Sequence, residues 1–488
     1  MWNNRFEMNP VSEGVYMMQE CPWSTYIEHS LTDQMDLIRQ YWEHRSEKII
    51  VLDDDPTGCQ TVHGIRALMN WDRETLRQAL EAPEHLVYIL TNLRSVDAVR
   101  ALEIHREIAD RIVEVAAELK IKVHVISRSD STLRGHFPED VLPFINDSRF
   151  GDIDGILLSP AFFEGGRFTY NGTHYVKQGN AYLPADQTEF AKDPAFPFTS
   201  AYLPRWIAEK WPTVNQQSVV VLSLEQIRSA GIDAVIDTLM QATNQQVIAV
   251  DAVDDADLQV VALACLECRK RGKRFFFRTA ASFVRAYAGI TRIDPLPVER
   301  VVDRTQGTGG LVLVGSFVNK TTSQLQALLD TCEMVQVEMH SESLLQEQRE
   351  REIQRVIRAI SEALQAGKDV VCFTSRTLVQ AKSAQESLYI GRRIMDAIVQ
   401  VVRELPTRPA FFVAKGGITS HTIASDGLSV QQAWVAGQAL PGVPVWELGS
   451  ESKWPHLHYI VFPGNVGDTD ALARLIERYQ SYRQMRQA

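Results

Sequence analysis

The feature that most constrains the fold is an alternation that recurs almost from end to end. Short runs of β-branched and aromatic residues are each followed by a stretch with helical apolar spacing. In the first part the runs are KIIVLDDD, HLVYILTN, KVHVISRSD, GILLSPAF, SVVVLSL, VIAVDAV and RFFFRTAAS; in the second they are LVLVGS, DVVCFTS, AFFVAKGG and YIVFPGN. Strands that alternate with helices form parallel βα units, so the expected fold is α/β, with two domains, each a mostly parallel sheet flanked by helices. A chain of 488 residues exceeds what one hydrophobic core usually supports. Between the two sets of runs, ITRIDPLPVERVVDRTQGTGG has the prolines, charges and glycines of a connection. The reading is therefore a first domain over residues 1–300 and a second over 301–488.

Composition narrows the partners. A formal net charge of −11 argues against nucleic acid, whose binding rests on Lys and Arg neutralising phosphates. It leaves room for a small anion, which needs only a few local arginines or backbone N–H groups. The first residues, MWNNRFEMNPVSEGVYMMQE, carry acids and no apolar run, so neither a signal peptide nor a membrane anchor is expected there. No apolar stretch elsewhere has bilayer-spanning length. Six cysteines in so long a chain do not make a disulfide framework, and a reducing cytoplasm is the expected location. Cys265 and Cys268 form a CxxC, but with no second pair nearby the spacing reads as one buried helix face.

In parallel α/β sheets ligands gather at the carboxyl ends of strands. The first run ends in Asp53, Asp54 and Asp55, then PTGCQTVHG. Adjacent carboxylates repel, and such a cluster is stable where a cation, a proton or a substrate hydroxyl offsets the repulsion. Asp54 and Asp55 are thus candidates for a general base or a Mg²⁺ contact; solvated acids capping a helix, with Thr57 and Gly58 at its start, are the structural alternative. His63, in the same loop, reads as structural. The third run ends in SRSDSTLRGHFPED, where Arg128 and Arg134 bracket Asp130, Ser131 and Thr132. Two guanidinium forks beside small hydroxyls suit a carboxylate, and Gly135 allows close backbone approach. Arg94 in TNLRS falls at the same sheet edge. Arg167 in EGGRF and Asp193 in AKDPAFP are further candidates to close this pocket.

Three strands of the second part run into small-residue loops that open helices: Gly315 and Ser316; Gly416, Gly417, Ile418 and Thr419; and Gly464, Asn465 and Gly467. Backbone N–H groups at such junctions suit phosphate. No GxxxxGK[ST] and no GxGxxG after a strand is present, so neither a P-loop enzyme nor a dinucleotide-binding oxidoreductase is supported. Lys415 precedes Gly416 and reads equally as a phosphate contact or a solvated lysine.

Together these residues resemble the four-carbon acid sugar kinase family, over nearly the whole chain from about Ile49. Its strand-and-ADDxTGA-like opening matches Asp54, Asp55, Thr57 and Gly58; its DSTLRG stands unbroken at Asp130–Gly135; and its PAFxxxGR segment matches Pro160 to Arg167. In the second part its GS, GGxT and SGNxG segments match at Gly315, Gly416 and Gly464. The resemblance implies an N-terminal domain that binds an acid sugar of the threonate, erythronate or 3-oxo-tetronate type. It implies a C-terminal domain that binds ATP with Mg²⁺, phosphoryl transfer to the substrate's terminal hydroxyl, and Asp54, Asp55 and Asp130 as the catalytic acids. Arg94, Arg128, Ser131, Arg134, Gly135 and Arg167 would sit at the substrate, and the glycine loops at ATP. The departures cluster on the substrate side: Asp53 stands for the family's Ala, Arg128 for a common Lys, and HFPE follows DSTLRG. A nucleotide-binding sensor without catalysis is the competing expectation, and a homodimer is the expected assembly.

Overall fold

A computed structural model describes residues 21–26, 31–43, 46–55, 57–305, 307–315, 319–376, 384–464 and 466–484. Ser316 and Asn465, two of the expected nucleotide contacts, lie outside the described residues.

The N-terminal half contributes strands β1 (Glu47–Asp53), β2 (Ile65–Leu68), β3 (Leu86–Leu90), β4 (Lys122–Arg128), β5 (Gly155–Ser159), β6 (Arg167–Tyr170), β7 (Thr173–Gln178), β8 (Ala181–Pro184), β9 (Val220–Leu222), β10 (Gln246–Val250) and β11 (Phe275–Thr279). The C-terminal half adds β12 (Leu311–Val314), β13 (Val335–Met339), β14 (Val370–Thr374), β15 (Phe412–Lys415), β16 (Gln432–Leu440), β17 (Val443–Leu448) and β18 (His458–Phe462). Every run singled out in the sequence forms one of these strands. β1 and β3 are apolar and buried along almost their whole length, as strands covered on both faces must be.

Two separate sheets were expected; instead fifteen strands form one sheet, in the order β13-β14-β12-β15-β18-β17-β16-β2-β3-β1-β4-β11-β5-β10-β9. Each wing is parallel, and the join is antiparallel. β17 pairs antiparallel with both β18 and β16, and β16 pairs with β2 from Gln432 opposite Leu68 to Val435 opposite Ile65. β6, β7 and β8 form a small antiparallel sheet of their own.

Helices flank both faces. Over Ala98–Leu119 the apolar residues Ala101, Ile104, Ile108, Ile112 and Val115 recur at helical spacing and are buried, and the Asp97 side chain caps the start by accepting from the Arg100 N–H. The Asp255–Lys270 helix begins with a reciprocal box between Asp254 and Asp257. It carries Cys265 and Cys268, both buried, and burial pushes the Cys268 thiol up to about 11. The CxxC is a packed helix face. Among the described residues no helix is long and apolar enough to cross a membrane.

Candidate functional site

The carboxyl ends of β1 and β4 bring the two charged loops together. Asp53 ends β1 fully buried; its Oδ1 accepts from Arg128 Nη1 at 3.1 Å and from the Asp55 N–H at 2.9 Å. A Cβ on Gly58 would stand 1.5 Å from the Asp53 carboxylate, so only glycine lets the next loop close over it. Burial pushes Asp53 up to about 8, against the pull of Arg128. Arg128 is 4% exposed and pairs with Asp53 through Nη1. It also acts electrostatically on Asp54 and Asp55, so it lies with the acid cluster, and its Nε is buried without a hydrogen-bond partner.

Arg94, in the loop after β3, holds the other acids. Its guanidinium donates to Asp55 Oδ2, lies 3.3 Å from Asp130 Oδ1 and 3.5 Å from Asp54 Oδ1. Asp55 also accepts from the Thr57 N–H and hydroxyl at 2.8 and 2.7 Å. Burial alone would raise Asp55, but Arg94, Arg128 and the Thr57 bonds outweigh it and hold it below the usual carboxylate range. Asp130 is more tightly held. Arg134 grips it with Nε at 2.9 Å and Nη2 at 3.2 Å, and the Thr132 N–H and hydroxyl add two bonds. Burial opposes its ionisation, yet Arg134 and Arg94 drive it well below the normal value.

Asp54 differs from both. Its Oδ1 is buried and without a hydrogen-bond partner, and its pKa is pushed up to about 6 by burial, Asp130 and Asp55, against Arg94 and Arg128. Gly135, at φ +116°, brings the DSTLRG backbone onto it: a Cβ there would stand 2.9 Å from Asp54 Oδ2. The small sheet supports this loop from outside. His174 on β7 donates from Nε2 to the Ser131 carbonyl at 2.7 Å, while the Thr169 hydroxyl donates to His174 Nδ1 at 3.0 Å. Ser131 is itself buried.

Arg134 continues outward to Asp193 at 3.1 Å and lies 5.1 Å from the Phe190 ring centre; Arg167 lies 5.6 Å from the same ring. Arg167 makes no ion pair among the described residues, and its Nε is buried without a partner. The expected cluster of Arg94, Arg134, Gly135 and Arg167 is therefore a contiguous wall around Asp54, Asp55 and Asp130. Arg278 was not foreseen. It stands at the end of β11, buried between Phe137 and Trp206 with Nε on Asp140 at 2.9 Å, and its Nη2 is unpartnered on the Gly135 side. An arginine inside the aromatic run RFFFRT was the available signal. His63 donates from Nε2 to the Thr291 carbonyl, outside this cluster.

On the C-terminal half the three glycine loops adjoin. A Cβ on Gly315 would meet Thr419 at 2.8 Å, and the Gly416 N–H donates to the Phe462 carbonyl at 2.8 Å. Gly416 and Gly467 have φ of +116° and +80°. Gly417 opens the short helix Gly417–Thr422, where Ile418 is 56% exposed and Thr419 is buried. Lys415 fits neither alternative raised for it: it is fully buried, and Nζ donates to the Pro463 and Gly464 carbonyls. His421, also unforeseen, lies within electrostatic reach of Asp55 and has a buried, unpartnered Nδ1. Burial pushes it down to about 4.

Among the described residues no group of three His, Cys, Asp or Glu side chains is arranged to hold a metal. The arginines and Thr57 and Thr132 already fill Asp55 and Asp130. These carboxylates do not fit a resident cation.

Comparison with known proteins finds two domain models in succession. A sugar-binding N-terminal domain model matches residues 49–287, and a nucleotide-binding C-terminal domain model matches residues 311–472. The D-threonate kinase of Salmonella typhimurium is 24% identical over 412 residues, covering 81% of this chain and 90% of that protein. A Haemophilus influenzae crystal structure superposes with a TM-score of 0.61 at 16% identity, covering 89% of this chain and 100% of that one. A Salmonella typhimurium LT2 structure does so with 0.64 at 16%, covering 89% and 99%. At that identity these two show the fold alone. Matched in order by both domain models and similar along most of its length to a threonate kinase, the protein belongs to the four-carbon acid sugar kinase family.

Proposed function

We propose that the protein transfers a phosphoryl group from ATP to the terminal hydroxyl of a four-carbon sugar acid, with D-threonate the first substrate to test. The observation that carries this reading is Asp54: a buried carboxylate 3.5 Å from Arg94 whose Oδ1 accepts no hydrogen bond, and whose pKa is raised to about 6 beside two strongly ionised acids. The sugar acid enters from the N-terminal half. Its carboxylate pairs with Arg167, whose charge has no carboxylate partner among the described residues, and with the outer edge of Arg134. That anchors one end and directs the far hydroxyl toward Asp54.

Asp54 accepts the hydroxyl proton. A base with a pKa near 6 is ionised at neutral pH and still holds a proton well as the new bond forms, whereas Asp55 and Asp130 are too strongly stabilised as anions to do so. Arg94 keeps those two acids ionised and fixed, and so orients the pocket. Mg²⁺ comes in as part of the Mg·ATP substrate, held by its phosphates. Phosphoryl transfer asks the protein mainly for alignment and charge neutralisation, which the facing loops and arginines supply. The test is ADP release from Mg·ATP by the purified chain with D-threonate, D-erythronate and 3-oxo-tetronates. Turnover with one acid and none without it is expected; tight ADP binding with no turnover on any of them would favour a sensor.

A further inference from the structure

The loop after β18 is held from behind by three buried side chains. Lys415 Nζ donates to the carbonyls of Pro463 and Gly464, and the Thr321 hydroxyl donates to the Gly464 carbonyl at 3.2 Å. Gln324 Nε2 donates to the carbonyls of Val466 at 3.0 Å and Asp468 at 2.7 Å. Lys415, Thr321 and Gln324 are all fully buried, whereas Gly467, Asp468 and Thr469 are exposed. In a trans peptide the carbonyl and the N–H point in opposite directions. Drawing these carbonyls inward therefore turns the N–H groups of Gly464, Gly467 and Thr469 outward, and none of the three donates to another described group.

A buried ammonium is costly without a counter-charge, and among the described residues no carboxylate pairs with Lys415. It instead lies 4.5 Å from the Phe462 ring centre, with Lys320 as its charged neighbour. Carbonyl dipoles and the ring are thus its only answers among the described residues, and one peptide unit separates it from the outward Gly464 N–H.

We propose that Lys415 is a positioning residue for the phosphates of the nucleotide, acting through the Pro463–Gly464 backbone and not by contact, with Gln324 securing the same loop. The proposal rests on the reading of the C-terminal half as the nucleotide site. The anion meets N–H groups already aimed at it, and its charge offsets the buried cation behind them. Burial pushes Lys415 down to about 7, so an anion arriving beyond the loop draws a proton onto the amine.

The experiment is calorimetric titration of the full chain with Mg·ADP at pH 7.5, in two buffers of different ionisation heat, for wild type, Lys415→Met and Gln324→Leu. Steady-state kinetics with Mg·ATP accompany it. Wild type should take up a fraction of a proton on binding, and Lys415→Met none. Both variants should weaken Mg·ADP by about 10–100-fold, the effect of losing hydrogen bonds from a charged or buried donor, while KM for the sugar acid stays within about twofold. Gln324→Leu keeps the test open if Lys415→Met does not fold. Wild-type affinity in both variants, or a KM rise shared equally by both substrates, overturns the proposal. If wild type itself fails to bind any nucleotide, the nucleotide reading falls first and takes the proposal with it.

Discussion

Asp53 and Asp54 adjoin at the end of one strand, yet their surroundings give them different duties. Each has one buried oxygen that accepts no hydrogen bond, but Asp53 is sealed by Arg128 and by the glycine packed on its carboxylate, while Asp54 lies 3.5 Å from Arg94 beside Gly135. A general base must be ionised, so activity that depends on Asp54 is lost as pH falls through its folded value of about 6. Below that limb kcat/KM should drop about tenfold per pH unit. Asp54→Asn preserves the shape and should cost about 10²–10⁴ in kcat with folding intact. Rate profiles between pH 5 and 8 check both; a flat profile, or near-normal turnover in Asp54→Asn, assigns the base elsewhere. That the acids, Arg94 and Arg134 lie close together was legible because they follow strand ends. The pairing of Arg128 with Asp53 was not, because spacing alone does not reveal which side of the sheet a strand-end residue faces. His421 was missed because a lone histidine in GGITSHT becomes notable only when the other half stands opposite it.

At the scale of elements, the strands read from the sequence are, apart from the half-buried edge strand β9, those buried along most of their length, since continuous apolar runs stand out. Those not read have other patterns. β16 alternates buried and half-buried residues, β17 holds Pro444, and β2 is only four residues long. These three strands make the join, so the continuity of the sheet was invisible although both wings were plain. Over Ala433–Val435 β16 has ladder partners on both sides, β2 and β17. Ala433→Pro deletes one donor and leaves a buried carbonyl unmet, at a cost of about 1–3 kcal/mol. The denaturant midpoint should fall accordingly. No loss of stability would mean that the β2–β16 ladder contributes little to holding the halves together.

For the whole molecule the join decides how the two halves communicate. One hydrophobic cluster contains Val51 and Leu157 of the first half together with Leu313, Val435 and Trp446 of the second, so the apolar core runs across the boundary as the sheet does. A chain with two independent cores would unfold in two steps, and a ligand on one half would protect that half alone. Here the free energy of binding on either side is shared by a single packed unit. Scanning calorimetry of the full chain should therefore show one endotherm, and Mg·ADP at a hundredfold excess over its Kd should move all of it upward, by an added stability of about 2.7 kcal/mol. A sugar acid that binds the N-terminal half, as proposed, should shift the same endotherm and add to the effect of the nucleotide. Two resolved transitions, with ADP moving only one, would show that the β2–β16 ladder and the shared core do not couple the halves, and that their approach during catalysis is a hinge motion about an independent joint.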